Sequence, residues 1–175
     1  MAQFSLLLLL LLSHFFYLTV AVYDITAFGA KSDGQANSAE PFLRAWEAAC
    51  SSSGPSTVHV PAGSFLIEQA RFSGPCKSSR ITVQIDGTLV SPSNYNGFGR
   101  KGDWIVFDHV EGLSVYGGTI DGRGASLWSC KANGHNCPDG ATVSLEFKTS
   151  RNRVMYNSNV FNFMSHAVPH VPQLK

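Results

Sequence analysis

Lysine, arginine, aspartate and glutamate are all missing from the first twenty-two residues. Leu6 to Leu12 is an unbroken apolar run, followed by Phe15, Phe16, Tyr17 and Leu18. An opening stretch this apolar and this free of charge reads as a signal peptide over residues 1–21. Thr19 and Ala21 put small residues at the −3 and −1 positions of a cut after Ala21, the usual construction of a signal peptidase site. An uncleaved membrane anchor is the alternative, because no basic side chain precedes the run and its length nearly suffices to cross a bilayer. After cleavage no membrane association is expected.

Basic runs are missing too. Thirteen Lys and Arg stand against twelve Asp and Glu, for a formal charge of +1, so the positive footprint of a nucleic-acid binder is absent and that class is excluded. No Asn-x-Ser or Asn-x-Thr occurs, and N-glycosylation is not expected. With 44% hydrophobic and 14% charged residues in a chain of 175, the remainder is globular and of one-domain size.

Export changes how the cysteines are read. Cys50, Cys76, Cys130 and Cys137 are an even set in an oxidising compartment, which favours disulfides, although four cysteines permit three connectivities. The expected pairs are Cys50 with Cys76 and Cys130 with Cys137, the second closing a short loop containing Gly, Asn and Pro. A zinc site built with His135 or His59 lacks the paired C-x-x-C spacing that such sites normally show. No metal or cofactor is expected.

One helix is predicted, from Asn37 to Cys50. Ser38 can cap it, Glu40 sits in the first turn where the dipole favours an anion, and Pro41 falls where no intrahelical N–H is needed. Phe42, Trp46, Ala49 and Cys50 recur at helical spacing. Downstream, apolar residues alternate in short runs: Val58 and Val60; Phe65 and Ile67; Ile81, Val83 and Ile85; Ile105 and Phe107; Leu113 and Val115; Ile120; Val143, Leu145 and Phe147. Glycine-rich turn sites such as Gly63, Gly74-Pro75, Gly87 and Gly117-Gly118 stand between them.

The two-residue links that mark hairpins are scarce. Instead one phrase of two strands occurs twice. Ile105-Val106-Phe107 is followed by Leu113-Ser114-Val115, and Leu145-Glu146-Phe147 by Val154-Met155-Tyr156. Coil-like repetition points to a parallel β-helix rather than a sandwich, with the helix as a cap over its open end.

Several strings carry a resemblance. Tyr23-Asp24-Ile25-Thr26-Ala27-Phe28-Gly29-Ala30-Lys31-Ser32-Asp33-Gly34, the Ala-Trp-x-x-Ala-Cys segment at Ala45 to Cys50, Val58-His59-Val60-Pro61-Ala62-Gly63-Ser64-Phe65, Phe72-Ser73-Gly74-Pro75-Cys76, Gly87-Thr88-Leu89 and Gly117-Gly118-Thr119-Ile120-Asp121-Gly122-Arg123-Gly124 follow one another as in plant polygalacturonases of glycoside hydrolase family 28. The chain resembles the N-terminal portion of that family, from about Tyr23 to about Ser150. The resemblance implies an all-β fold, a right-handed parallel β-helix of which the N-terminal coils are present, over residues 22–150. Residues 151–175 are expected to be a divergent, poorly ordered tail.

The same resemblance implies a secreted, cell-wall protein whose polymer is homogalacturonan, or pectin, with inverting hydrolysis of α-1,4 galacturonosyl bonds. The family performs it with Asn-Thr-Asp, Asp-Asp, Gly-His-Gly and Arg-x-Lys motifs. None of the four is in this sequence: Gly134-His135 is followed by Asn136, and Arg80-Ile81 by Thr82. No catalytic residue is assigned, and a truncated form without catalytic competence is expected.

Two other functions are compatible with the sequence: a secreted, non-catalytic pectin-binding module and a hydrolase using other acids. Inverting hydrolysis needs two carboxyl groups about 6.5–9.5 Å apart, with a water between. Asp103, Asp108, Glu111 and Asp121 are the acids of the strand region. Asp121 reads as a turn residue before Gly122, and Asp108-His109 as a strand end facing solvent with no nucleophile beside it. For binding, an anionic polymer wants basic groups and aromatic faces. Arg100, Lys101 and Trp104, flanked by Tyr95 and Phe98, come nearest to that, against the alternative of a solvated turn and a core tryptophan.

Overall fold

The structure is a computed structural model in which residues 20–93, 103–134, 144–148 and 154–156 are described. The chain winds through three sheets in turn. β1 (Ala21–Asp24), a 3-10 turn (Ile25–Phe28), β2 (Asp33–Asn37) and helix α1 (Ala39–Cys50) make the first circuit. The next two are β3 (Ser56–Val60), β4 (Ser64–Leu66) and β5 (Ala70–Ser73), then β6 (Ile81–Ile85), β7 (Thr88–Val90) and β8 (Asp103–Asp108). β9 (Leu113–Tyr116), β10 (Thr119–Asp121), helix α2 (Ala125–Ala132) and β11 (Ser144–Lys148) follow, and β12 (Val154–Tyr156) opens another.

Sheet A runs β1-β3-β6-β9-β12, sheet B β10-β7-β4-β2 and sheet C β11-β8-β5. Every pairing is parallel. This is a right-handed parallel β-helix, the handedness that a parallel crossover takes. The expected repeat is visible in the register, with Leu145 opposite Ile105 and Phe147 opposite Phe107. Its second half sits one residue away from the expected alignment, since Val154 pairs with Ser114 and Met155 with Val115. β12 lies beyond Ser150, so parallel pairing with β9 carries the coil past the boundary expected there; residues 157–175 lie outside the described residues.

Alternation fixes the core. In a strand every second side chain points inward, and because the coils are parallel and in register, inward residues stack on their own kind. Val58, Val83 and Val115 form one such buried column in sheet A, and Phe65, Leu89 and Ile120 another in sheet B. In sheet C the column is aromatic: Phe72 stacks on Phe107 at 4.8 Å between ring centroids, and Phe107 on Phe147 at 5.5 Å.

α1 occupies the stretch between sheet B and sheet A where later circuits place a strand of sheet C. Its apolar stripe seals the end of the core: Phe42 lies 4.6 Å and Trp46 5.3 Å from the Phe72 ring. The first turn differs from expectation. Ser38 is the N-cap, but its side chain makes no capping bond and instead accepts from the Lys31 N–H at 3.1 Å. The Asn37 side chain accepts from the Ala39 N–H at 3.0 Å in its place. At the other end the Cys50 carbonyl accepts from the Lys77 and Ser78 N–H groups, and Cys50 is disulfide-bonded to Cys76. Cys130 is disulfide-bonded too, and its expected partner, Cys137, lies outside the described residues.

α2 was not expected, because its eight residues carry almost no apolar period. β1, β2, β5 and β7 are further additions. β1 and β2 escape notice because Ala21–Asp24 shows no alternation of apolar and polar residues and Asp33–Asn37 has no large apolar residue, and β3 and β4 pair with them.

Candidate functional site

The outward positions of the sheets bring polar side chains into rows. In sheet A, Asp24, His59, Gln84 and Tyr116 are successive register partners. His59 Nδ1 lies 2.8 Å from Asp24 Oδ2, and Nε2 lies 2.9 Å from Asp86 Oδ2. The Gln84 amide donates to the other Asp86 oxygen at 3.2 Å, and the Tyr116 hydroxyl donates to the Gln84 carbonyl oxygen at 3.1 Å. The histidine is therefore bracketed by carboxylates from the coils on either side of it.

The charges respond accordingly. The Asp86 hydrogen bond, with Asp24 adding to it against a smaller desolvation effect, raises the His59 pKa above 6.5. Bonding to His59, then to Gln84, holds Asp86 below the ordinary carboxylate range. At Asp24 burial pulls upward, but the Thr26 hydroxyl and N–H, with His59, outweigh it and the net shift is downward. An inverting pair would leave room between its carboxyls for water; here an imidazole ring fills that space.

A second row ends sheet C. Ser73, Asp108 and Lys148 are register partners. His109 Nδ1 lies 2.8 Å from Asp108 Oδ1, and Arg71 Nη1 lies 3.4 Å from Asp108 Oδ2. The pair Asp108-His109, read from sequence as a strand end facing solvent, lies at the end of β8 with the His109 ring 62% exposed. His109 adopts φ 55°, a left-handed conformation uncommon for a residue with a side chain. Its N–H donates to the Lys148 carbonyl at 3.1 Å, and the Gly74 N–H donates to the Asp108 carbonyl at 2.8 Å. A Cβ on Gly74 would come within 2.0 Å of the His109 carbonyl oxygen, so glycine is required there.

The other residues named from sequence are placed as follows. Trp104 is 2% exposed and its indole N–H donates to the Ile67 carbonyl at 2.7 Å, so it is a core residue and offers no face to a sugar. Arg100, Lys101, His135 and the side chain of Asp103 lie outside the described residues. Asp121 accepts from the Arg123 N–H at 2.9 Å, which is the turn role expected for it. Glu111 is exposed in the turn after β8. Among the described residues no three His, Cys, Asp or Glu side chains are grouped to hold a metal ion. The His59 bracket was not anticipated: Asp24 and Asp86 lie far from it in sequence, and only coil register brings them together.

Three parallel sheets closed at one end by a helix define a capped β-helix protein. Residues 50–170 match the sequence model of Glycosyl hydrolases family 28. The chain is 45% identical over 148 residues to a polygalacturonase of Prunus persica, an alignment covering 81% of this chain and 37% of that one. It is 36% identical over 165 residues to an exopolygalacturonase of Platanus acerifolia, covering 86% and 42%. In structure it resembles a hyperthermoactive exopolygalacturonase from Thermotoga maritima, with a TM-score of 0.55 at 18% identity over 79% of this chain and 41% of that one. The chain belongs to glycosyl hydrolase family 28, and it spans 37% and 42% of the lengths of these two plant relatives.

Proposed function

We propose that these residues are the capped N-terminal unit of a secreted, pectin-directed polygalacturonase-type protein, supplying the start of the β-helix rather than its hydrolytic groups. The observation that carries this reading is the engagement of the described aspartates. Asp24 and Asp86 are spent on His59, Asp108 on Arg71 and His109, and Asp33 and Asp121 on N–H groups of their own turns. The motifs that the family resemblance implies for hydrolysis do not occur in the sequence. The polygalacturonase names of the relatives supply the substrate class.

Secretion rests on the charge-free leader of residues 1–21. A cut after Ala21 leaves Val22, Tyr23 and Asp24 of β1 to pair with β3, so processing is compatible with the first circuit. N-terminal sequencing of the exported protein is expected to begin at Val22.

The decisive assay is reducing-end release from polygalacturonic acid by the purified chain, beside a relative that retains all four motifs. No release is expected. Release would overturn the proposal and direct mutagenesis to Asp103, Asp108, Glu111 and Asp121 in turn.

A further inference from the structure

We infer that His59 is a proton-operated latch on the N-terminal strand: as imidazolium it ties Asp24 of β1 to Asp86 of the third circuit, and as neutral imidazole it lets β1 lift from the stack. The inference does not depend on the pectin-directed reading above.

Counting donors makes the contact conditional on a proton. An ionised carboxylate only accepts, and a neutral imidazole has one N–H. His59 meets a carboxylate at both nitrogens, Nδ1 at 2.8 Å from Asp24 and Nε2 at 2.9 Å from Asp86, so both bonds exist together only when the ring carries both protons. Removing one sets a lone pair against a carboxylate, and one side must give way. Asp24 and Asp86 are the charged groups that bond to the ring. Its row along sheet A continues with the neutral Gln84 and the titratable hydroxyl of Tyr116, which are hydrogen-bonded to Asp86 and to Gln84 respectively. With 24% of its side chain exposed, the ring exchanges protons with solvent directly.

The side that yields is β1. β6 is paired on both flanks, with β3 and β9, whereas β1 ends sheet A and pairs with β3 alone. Asp86 is fastened further by its own N–H, which donates to the Val60 carbonyl at 2.8 Å. None of the four residues of β1 is buried, and Val22 is 63% exposed, so little apolar burial opposes opening. Asp24 keeps the Thr26 hydroxyl and N–H as partners when the strand lifts, so its carboxylate is not left bare.

The test follows amide hydrogen exchange of the full chain through a pH series spanning the titration of the His59 ring, which is read by NMR in the same samples, with each rate corrected for intrinsic base catalysis. Protection in β1 is expected to fall about tenfold or more as the ring loses its proton, the equivalent of one charge-assisted hydrogen bond. β6 and β9 should hold theirs, which also reports that each variant is folded. His59→Gln should show low protection of β1 at every pH. Asp86→Asn is the sharper variant. The substituted amide can donate to Nε2 and leave the neutral ring's proton on Nδ1 for Asp24, so β1 should stay protected throughout. The latch is refuted by β1 protection that ignores the ring's titration, by a step that survives in either variant, or by an equal loss in β6 and β9, which would make His59 a contributor to global stability only.

Discussion

His59 is a single residue whose neighbours make it sensitive to pH. Its pKa is raised, so the stability it contributes is complete below 6.5 and is lost as pH climbs through the higher folded value. Asp24 and Asp86 are lowered, so theirs is complete above 3.8 and is lost as pH falls through the depressed values. The cluster is therefore most stabilising between these limits. His59 and its partners are partly exposed and screened by solvent, which keeps the effect modest. Thermal melts should show the parent losing stability as pH rises above 6.5, while His59→Gln loses less. Equal slopes would refute the role given to the bracket. Gly74 is a second residue-scale case. Gly74→Ala must push the His109 carbonyl aside and is expected to cost about 1–3 kcal/mol, seen as a lower urea midpoint at unchanged slope. At this scale the sequence was legible where the partner is local, as in the Asp121 turn. It was silent on the His59 bracket and left Trp104 open between a sugar-facing and a core role, because facing inward or outward depends on which coil covers the strand.

Elements were easier to recognise than their ends. The 3.6-residue stripe of Phe42, Trp46 and Ala49 announced α1, and alternation announced β3, β6, β8 and β9, since both patterns report burial directly. β2, Asp-Gly-Gln-Ala-Asn, has no large apolar residue to alternate, and β7 has only three positions. Capping chemistry went to Asn37 rather than Ser38 because the Ser38 hydroxyl is turned toward the Lys31 segment. Asn37→Ala is accordingly expected to cost about 0.5–2 kcal/mol. The aromatic column is the larger determinant. Phe107 is buried between Phe72, Phe147 and Trp46, and Phe107→Ala should cost about 3–5 kcal/mol by opening a cavity between coils. A cost below 1 kcal/mol in chemical denaturation would mean that the coils close over the gap.

On the scale of the molecule, the coiled architecture was readable because coils repeat: the likeness of the two strand phrases is the same fact as the pairing of Leu145 with Ile105. A parallel β-helix is nearly one-dimensional, each coil resting only on its neighbours, so damage at one end should remain at that end. The Cys50–Cys76 bridge joins the end of α1 to the turn after β5 across a sequence separation of 26 residues, a loop whose closure is worth about 3 kcal/mol in the unfolded chain. Replacing both cysteines by alanine should lower the stability of the capped end by roughly that amount. The pattern of the loss is the sharper prediction. Hydrogen exchange should lose protection in α1 and β1, which rely on the cap, while β6 and β9, flanked by coils on both sides, stay protected. Uniform loss across all strands would instead show that cap and coils unfold as one cooperative unit, and that α1 sustains the entire stack rather than sealing its end.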